Sequence, residues 1–290
     1  MEIIIGKHSG YCPGVKRAIK MLDEVIEKNK KSEKGKNIYT FGEIIHNPNV
    51  VKHYSDKGVL VAENSKYLTS NDIVVIRSHG ISSKKKKDFL DKKIKLIDTT
   101  CPFVLKVQKS AEKLSSKEFF LVIVGDKNHP EVQGIVGNII GKEFSEFIVV
   151  ESKDELKKIG VKKKLAIIAQ TTQTIDNFNE IAKFATEKFK EELFIKNTIC
   201  NTTILRQNEI KKIAAAVDVM IVVGGKKSAN TSHLAYTAKN ILKNTYHIED
   251  ISEIQKDWFL NAKKVGIYSG ASTPYEELIK VKDFIVSLND

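Results

Sequence analysis

Three times along the chain a short β-branched run ends in a cysteine, and the next residue opens an amphipathic stretch. EIIIGKHSGYC precedes PGVKRAIKMLDEVIEK, IKLIDTTC precedes PFVLKVQKSAEKL, and LFIKNTIC precedes NTTILRQNEIKKIAAA. The cysteines, Cys12, Cys101 and Cys200, stand 89 and 99 residues apart, and the path from Cys200 through the C-terminus and on from Met1 to Cys12 spans 102. Recurrence of one local grammar at one spacing predicts three similar units rather than one continuous sheet. The expected boundaries are residues 13–100, 101–198 and 199–290, the last completed by an N-terminal strand within 1–12.

Between the cysteines, apolar runs such as NIYTF, DIVVI, FFLVIVG, FIVV, LAIIA, VDVMIVVGG and VGIYSG alternate with helical patterns, the signature of α/β units with parallel sheets. Several of these runs end in functional side chains. FGEIIHNP brings His46 and VVIRSHG brings His79; LVIVGDKNHPE brings His129 and Glu131, and IIAQTTQ brings Thr171 with Thr172; IVVGGKKSAN brings Ser228 and Asn230, and YSGAST brings Ser272. His129 and Ser228 both lie 28 residues beyond their cysteines, and Thr171 and Ser272 lie 70 and 72 beyond theirs. Ligands of parallel α/β sheets bind beyond the carboxyl ends of the strands. Three sheets with those ends turned to a common axis would gather these residues into one site.

An odd cysteine count without close pairs argues against a disulfide framework and fits a reducing compartment. The formal net charge is +12, yet 45 of the 48 basic residues are lysine, a poor composition for reading bases or clamping phosphate bidentately. The runs Lys84–Lys87 and Lys162–Lys164 flank predicted helices and strands and read as solvated surface. The N-terminus lacks a basic leader, and no apolar stretch reaches membrane-spanning length, so a cytoplasmic location is expected. His8, His53, His233 and His247 read as structural.

A thiolate is favoured at the positive end of a helix, where each cysteine stands. Zinc sites usually draw on close pairs such as C-x2-C, absent here; three separated thiolates suit a 4Fe-4S cluster with one iron lacking a protein ligand. The hydroxyl, amide and imidazole groups, with helix starts expected after GGKKSAN and SGAST, are donors suited to a phosphate, although GGKKSAN lacks the Walker spacing.

Taken together, Cys12 with Gly14-Val15 and Arg17-Ala18, the HNP and SHG histidines, and the DTTCP, NHPEVQG, QTT, ICNTT, VVGGKKSAN and SGAST blocks resemble the IspH or LytB family of 4-hydroxy-3-methylbut-2-enyl diphosphate reductases over essentially the whole chain. The resemblance implies a monomeric trefoil of three pseudo-threefold-related α/β lobes around a central 4Fe-4S cluster bound by Cys12, Cys101 and Cys200. It implies an allylic diphosphate substrate held by His46, His79, His129, Thr171, Ser228, Asn230 and Ser272. Glu131 would be the proton donor, with His129 and Thr171 beside the reacting end. Reduced ferredoxin or flavodoxin would supply electrons, with no nucleic acid or membrane as partner. The products would be isopentenyl and dimethylallyl diphosphate. Ala229 departs from the second serine often found in the family's phosphate loop; its backbone N–H is expected to persist as a donor. The competing enzyme reading is a three-cysteine dehydratase of quinolinate-synthase type, and the non-enzyme reading a basic RNA-binding or zinc-structured protein.

Overall fold

The computed structural model describes residues 1–33, 35–139, 147–160, 164–189 and 192–288. Among them, strands and helices alternate and the strands form three four-stranded sheets in which every pairing is parallel. The chain parts into two compact units, one of residues Met1–Lys16, Ile45–His53 and Asn201–Asp290, the other of Arg17–Ile44 and Tyr54–Cys200. Helices α1 (Pro13–Lys30) and α2 (Pro48–Asp56) run across the boundaries between them.

The larger unit holds two sheets. One joins β2 (Asn37–Phe41), β3 (Val59–Ala62), β4 (Asp72–Ile76) and β5 (Lys95–Asp98) in the order β3-β2-β4-β5, with α3 (Ser83–Asp91) between the last two strands. After α4 (Pro102–Ser115), the other joins β6 (Phe120–Val124), β7 (Phe147–Val150), β8 (Lys164–Ala169) and β9 (Glu192–Ile195) in the order β7-β6-β8-β9; α5 (Pro130–Val136), α6 (Lys153–Lys157) and α7 (Ile175–Lys188) connect them. The smaller unit opens with α8 (Asn201–Ala214). Its sheet joins β10 (Val219–Val223), β11 (Thr245–Ile248) and β12 (Lys264–Ser269) to the N-terminal β1 (Glu2–Ile5) in the order β11-β10-β12-β1, with α9 (Ala229–Lys239) after β10 and α10 (Tyr275–Ser287) after β12.

All three orders are the same pattern. The first strand of each set lies between the second and third, and the strand leading to the cysteine occupies one edge. In the smaller unit that edge is supplied by β1, whose Glu2 to Ile5 pair with Lys264 to Ile267.

The central strands are apolar on both faces because both faces are covered. In β10, Val219, Ile221 and Val223 pack with Leu278, Val281 and Ile285 of α10, while Met220 and Val222 pack with Ile210, Ala214, Leu234 and Ala238 of α8 and α9. In the larger unit, Val107, Ala111 and Leu114 of α4 and Val132 and Ile135 of α5 close over Leu121 and Ile123 of β6. Phe41 and Phe89 meet edge to face at 5.1 Å in its other sheet.

Two strands escaped the sequence reading, β3 (VLVA) and β11 (TYHI). Both are outer strands of four residues whose middle pair is not buried; TYHI is broken by polar residues, and VLVA, though apolar throughout, is too short to stand out by itself. The run Lys84–Lys87 does not flank a helix but forms the first half of α3, and Lys86 Nζ pairs with Asp98 Oδ2 at 2.9 Å. Lys162 and Lys163 lie outside the described residues. No helix among the described residues is long and apolar enough to cross a membrane.

Candidate active site

In the larger unit, the chain leaving β6 reaches His129, the N-cap of α5, with Pro130 at the first helical position, where a missing N–H costs nothing. The Glu131 N–H donates to His129 Nδ1 at 3.2 Å, which leaves Nε2 as the donor nitrogen of the neutral ring. The His129 ring meets that of His79 edge to face, 5.2 Å between centroids. His79 stands just after β4, in a turn closed by the Gly80 N–H donating to Arg77 O at 3.0 Å. Gly80 has φ +72°, and a side chain there would collide with Gln108 and Thr100, so the SHG turn needs its glycine.

Glu131 is only 1% exposed. Thr171 grips its carboxyl with both backbone and side chain: the N–H donates to Oε1 at 2.6 Å and the hydroxyl to Oε2 at 2.7 Å. Burial nevertheless outweighs these bonds and pushes the pKa of Glu131 from 4.5 up to about 7. A carboxyl that holds its proton to neutral pH is equipped as a general acid.

In the smaller unit, Ser228 caps α9, its Oγ accepting from the Thr231 N–H at 3.4 Å. The helix therefore begins at Ala229, not after Asn230 as the sequence reading has it, and both Ala229 and Asn230 belong to its first turn. Ala229 thus presents its N–H where helix donors lack intrahelical acceptors. Ser272 follows β12, and its hydroxyl donates to His46 O at 3.2 Å and lies 3.4 Å from Ser228 Oγ. Gly225 lets the loop after β10 pass against His46, since a Cβ there would stand 2.4 Å from His46 O. His46, Ser228, Asn230 and Ser272 are thereby drawn together within one unit. Asn230 is 5% exposed, and its buried Nδ2 has no hydrogen-bond partner among the described residues. An unpaired buried donor costs about 1–3 kcal/mol, so the arrangement favours an acceptor-rich ligand there.

The three cysteines share one backbone device. Cys12 N–H donates to Ala271 O at 3.2 Å, Cys101 N–H to Ser78 O at 2.9 Å and Cys200 N–H to Thr171 O at 3.0 Å. Each acceptor lies in the loop after the third strand of a sheet, the loops that carry Ser272, His79 and Thr171 themselves. No disulfide joins the three cysteines; each is partly buried and immediately precedes a helix. The Val15 N–H points to Cys12 Sγ at 3.4 Å. Half-buried thiols at helix starts fit iron–sulfur ligation, and the donor-lined loop with its orphan amide fits a diphosphate.

Two residues on α8 were not singled out from the sequence. Arg206, 2% exposed, donates from Nη2 to Gly10 O at 2.6 Å and from Nη1 to Ser269 O at 3.1 Å. Glu209 accepts from the N–H groups of Lys7 and His8 at 2.8 and 3.0 Å and from Tyr268 at 2.7 Å. Partners some 200 positions apart leave no local signature, and only the excess of lysine over arginine hinted that an arginine is special here. His8 Nδ1 lies 2.9 Å from Glu209, and His247 Nε2 donates to Gly224 O at 2.8 Å, its pKa lowered by burial.

The sequence profile of the LytB protein family matches residues 3–286. A 4-hydroxy-3-methylbut-2-enyl diphosphate reductase of Aquifex aeolicus is 42% identical over 285 residues, covering 98% of this chain and 96% of the relative. One of Campylobacter hominis is 44% identical, covering 97% and 96%. Among solved structures, the (E)-4-hydroxy-3-methyl-but-2-enyl diphosphate reductase described as the terminal enzyme of the non-mevalonate pathway aligns with TM-score 0.69 at 41% identity, over 99% of this chain and all of that one. The E-1-hydroxy-2-methyl-but-2-enyl-4-diphosphate reductase of Plasmodium falciparum aligns with TM-score 0.89 at 28% identity, over 97% and 87%.

Proposed function

The chain belongs to the LytB family, and we infer from that premise that it is a 4-hydroxy-3-methylbut-2-enyl diphosphate reductase, an oxidoreductase that removes the substrate hydroxyl as water at the last step of the non-mevalonate route to isoprenoids. Two electrons and two protons enter for each water released, and the products are isopentenyl and dimethylallyl diphosphate. The quinolinate-type alternative lacks support from either relatives or site, since the donor loop around Ser272 is suited to a diphosphate.

Cys12, Cys101 and Cys200 would hold a 4Fe-4S cluster, in a molecule of three α/β lobes acting as a cytoplasmic monomer. When bound, that cluster supplies electrons and a Lewis-acidic iron for the hydroxyl oxygen. The chain's own residues do the rest. His46, Ser228, Asn230, Ser272 and the first turn of α9 bind the diphosphate with neutral donors, and His79 contributes to the same task. Glu131 carries the proton that turns the departing hydroxyl into water, hydroxide being a poor leaving group. Thr171 fixes both carboxyl oxygens of Glu131, and its hydroxyl and the His129 ring orient the reacting end. A reduced ferredoxin or flavodoxin supplies the electrons.

The observation that carries this reading is the buried Glu131 gripped at both carboxyl oxygens by Thr171, whose carbonyl in turn holds Cys200. It is tested by reconstituting the protein with iron and sulfide without oxygen, adding the hydroxylated diphosphate and a reduced dye, and identifying the products. Conversion to the two five-carbon diphosphates is expected. Failure of an iron-loaded protein to consume the substrate would overturn the reading.

A further inference from the structure

Only three arginines occur in the chain, and two of them, Arg17 and Arg206, follow a cysteine by five and six residues and donate to a carbonyl just before a cysteine. Arg17 Nη1 reaches Thr100 O at 3.2 Å in the larger unit. Because the N–H of that same peptide, on Cys101, donates to Ser78 O at 2.9 Å, the plane ahead of Cys101 is pinned at both edges. In the smaller unit, Gly10 is held likewise: its carbonyl accepts from Arg206, and its N–H donates to Ser269 Oγ at 2.8 Å. Gly10 has φ +88°, a conformation that only glycine takes without strain, so this turn needs its glycine. The second Arg206 bond, to Ser269 O, fixes the end of β12 from which Ala271 and Ser272 depart. One buried guanidinium therefore holds both the turn that carries Cys12 and the loop that carries Ser272.

The turn before Cys200 is built differently. Thr198 Oγ1 accepts from the Ala169 N–H at 2.7 Å and donates to Ala169 O at 2.6 Å, and the residue five beyond Cys101 is Lys106, whose Nζ lies over the Phe103 ring. An arginine suits the Cys12 site because its planar fork meets two carbonyls at once, which a lysine cannot do in a fixed geometry.

We propose that Arg17 and Arg206 are positioning residues, Arg17 for the Cys101 turn and Arg206 for the Cys12 turn together with the Ser272 diphosphate loop. The proposal rests on the metal-ligand and diphosphate roles inferred above. It separates the two arginines by what each touches: loss of either loosens iron, whereas only loss of Arg206 weakens diphosphate binding.

The test uses anaerobically reconstituted full-length protein, with Arg17→Met, Arg206→Met, Arg206→Lys and Ser269→Ala beside the parent. The first readout is the rate of iron release to a chelator. The second is the affinity for inorganic diphosphate by calorimetry, which requires no turnover. Iron release should quicken in both methionine variants, by about 10-fold or more as for other groups that orient metal ligands. Diphosphate affinity should fall about 10-fold in Arg206→Met and stay at the parent value in Arg17→Met, with Arg206→Lys intermediate on both counts. Ser269→Ala removes only the Gly10 N–H acceptor and should shift iron release in the same direction by less, so it decides the Arg206 claim if Arg206→Met does not fold. Folded variants with parental iron release and parental diphosphate affinity would overturn the proposal. A parent that retains no iron would sink the underlying metal assignment instead.

Discussion

Glu131 shows how a residue's surroundings decide its chemistry. Its position in NHPEV is visible in the sequence, but its acidity is set by a burial that no local pattern reveals. The folded pKa of about 7 lies above the unfolded 4.5, so the folded state binds the extra proton between those values. The stabilisation it gives is full below pH 4.5 and is lost as pH rises through about 7, a difference of about 3 kcal/mol. Subtracting the pH-stability curve of Glu131→Gln from that of the parent should isolate this slope. The same titration predicts that kcat declines above about pH 7, and that Glu131→Gln lowers kcat by about 100-fold or more while the substrate KM changes by only a few-fold. A glutamine variant with parental kcat would move proton delivery to Thr171 or to the substrate's own diphosphate. Asn230 gives a second test at this scale. Asn230→Ala should raise KM by the equivalent of about 1–3 kcal/mol, whereas Lys84→Ala with Lys87→Ala, on the exposed side of α3, should leave KM within about twofold. Steady-state kinetics at fixed ionic strength separates the two, and a larger effect from the lysines would mean that the anion binds elsewhere.

Among the elements, the legible ones were those whose environment repeats. Central strands β4, β8, β10 and β12 announce themselves because they are apolar on both faces, and helices opening at Cys-Pro announce their own start. The outer strands β3 and β11 did not, since one is a run of only four apolar residues and the other mixes polar residues into its four. The start of α9 was misplaced because Ser228 serves at once as N-cap and candidate ligand, and a motif reading registers only the second role. The Arg206 and Glu209 bonds were invisible because their partners are brought close by β1 pairing with β12, a contact between the two ends of the chain. The loop after β10 offers an element-scale prediction. Gly225→Ala forces a Cβ to 2.4 Å from His46 O, so either the loop or the histidine must move. Destabilisation of about 1–3 kcal/mol is expected, together with a KM raised more than kcat is lowered. An alanine variant with parental Tm and KM would show that the close approach plays no part in binding.

For the whole molecule, the informative regularity is that three sheets share one strand order and three cysteines share one backbone bond, although the side chains around them differ. Thr171, His79 and Ser272 occupy corresponding loops yet are assigned different tasks, so the repeat supplies a common frame and the substitutions within it supply the chemistry. The repeat was legible as spacing between cysteines; its physical basis, an N–H from each cysteine to the loop after a third strand, required the fold. The central claim is that these three turns serve one metal centre. It is tested most directly by measuring iron and sulfide per chain, with turnover, in anaerobically reconstituted Cys12→Ser, Cys101→Ser and Cys200→Ser beside the parent. The parent should hold about four irons, and each variant should lose turnover and retain less iron, because a serine hydroxyl is a poor substitute for a thiolate. A full iron complement and near-parental turnover in any one of the three variants would contradict the claim.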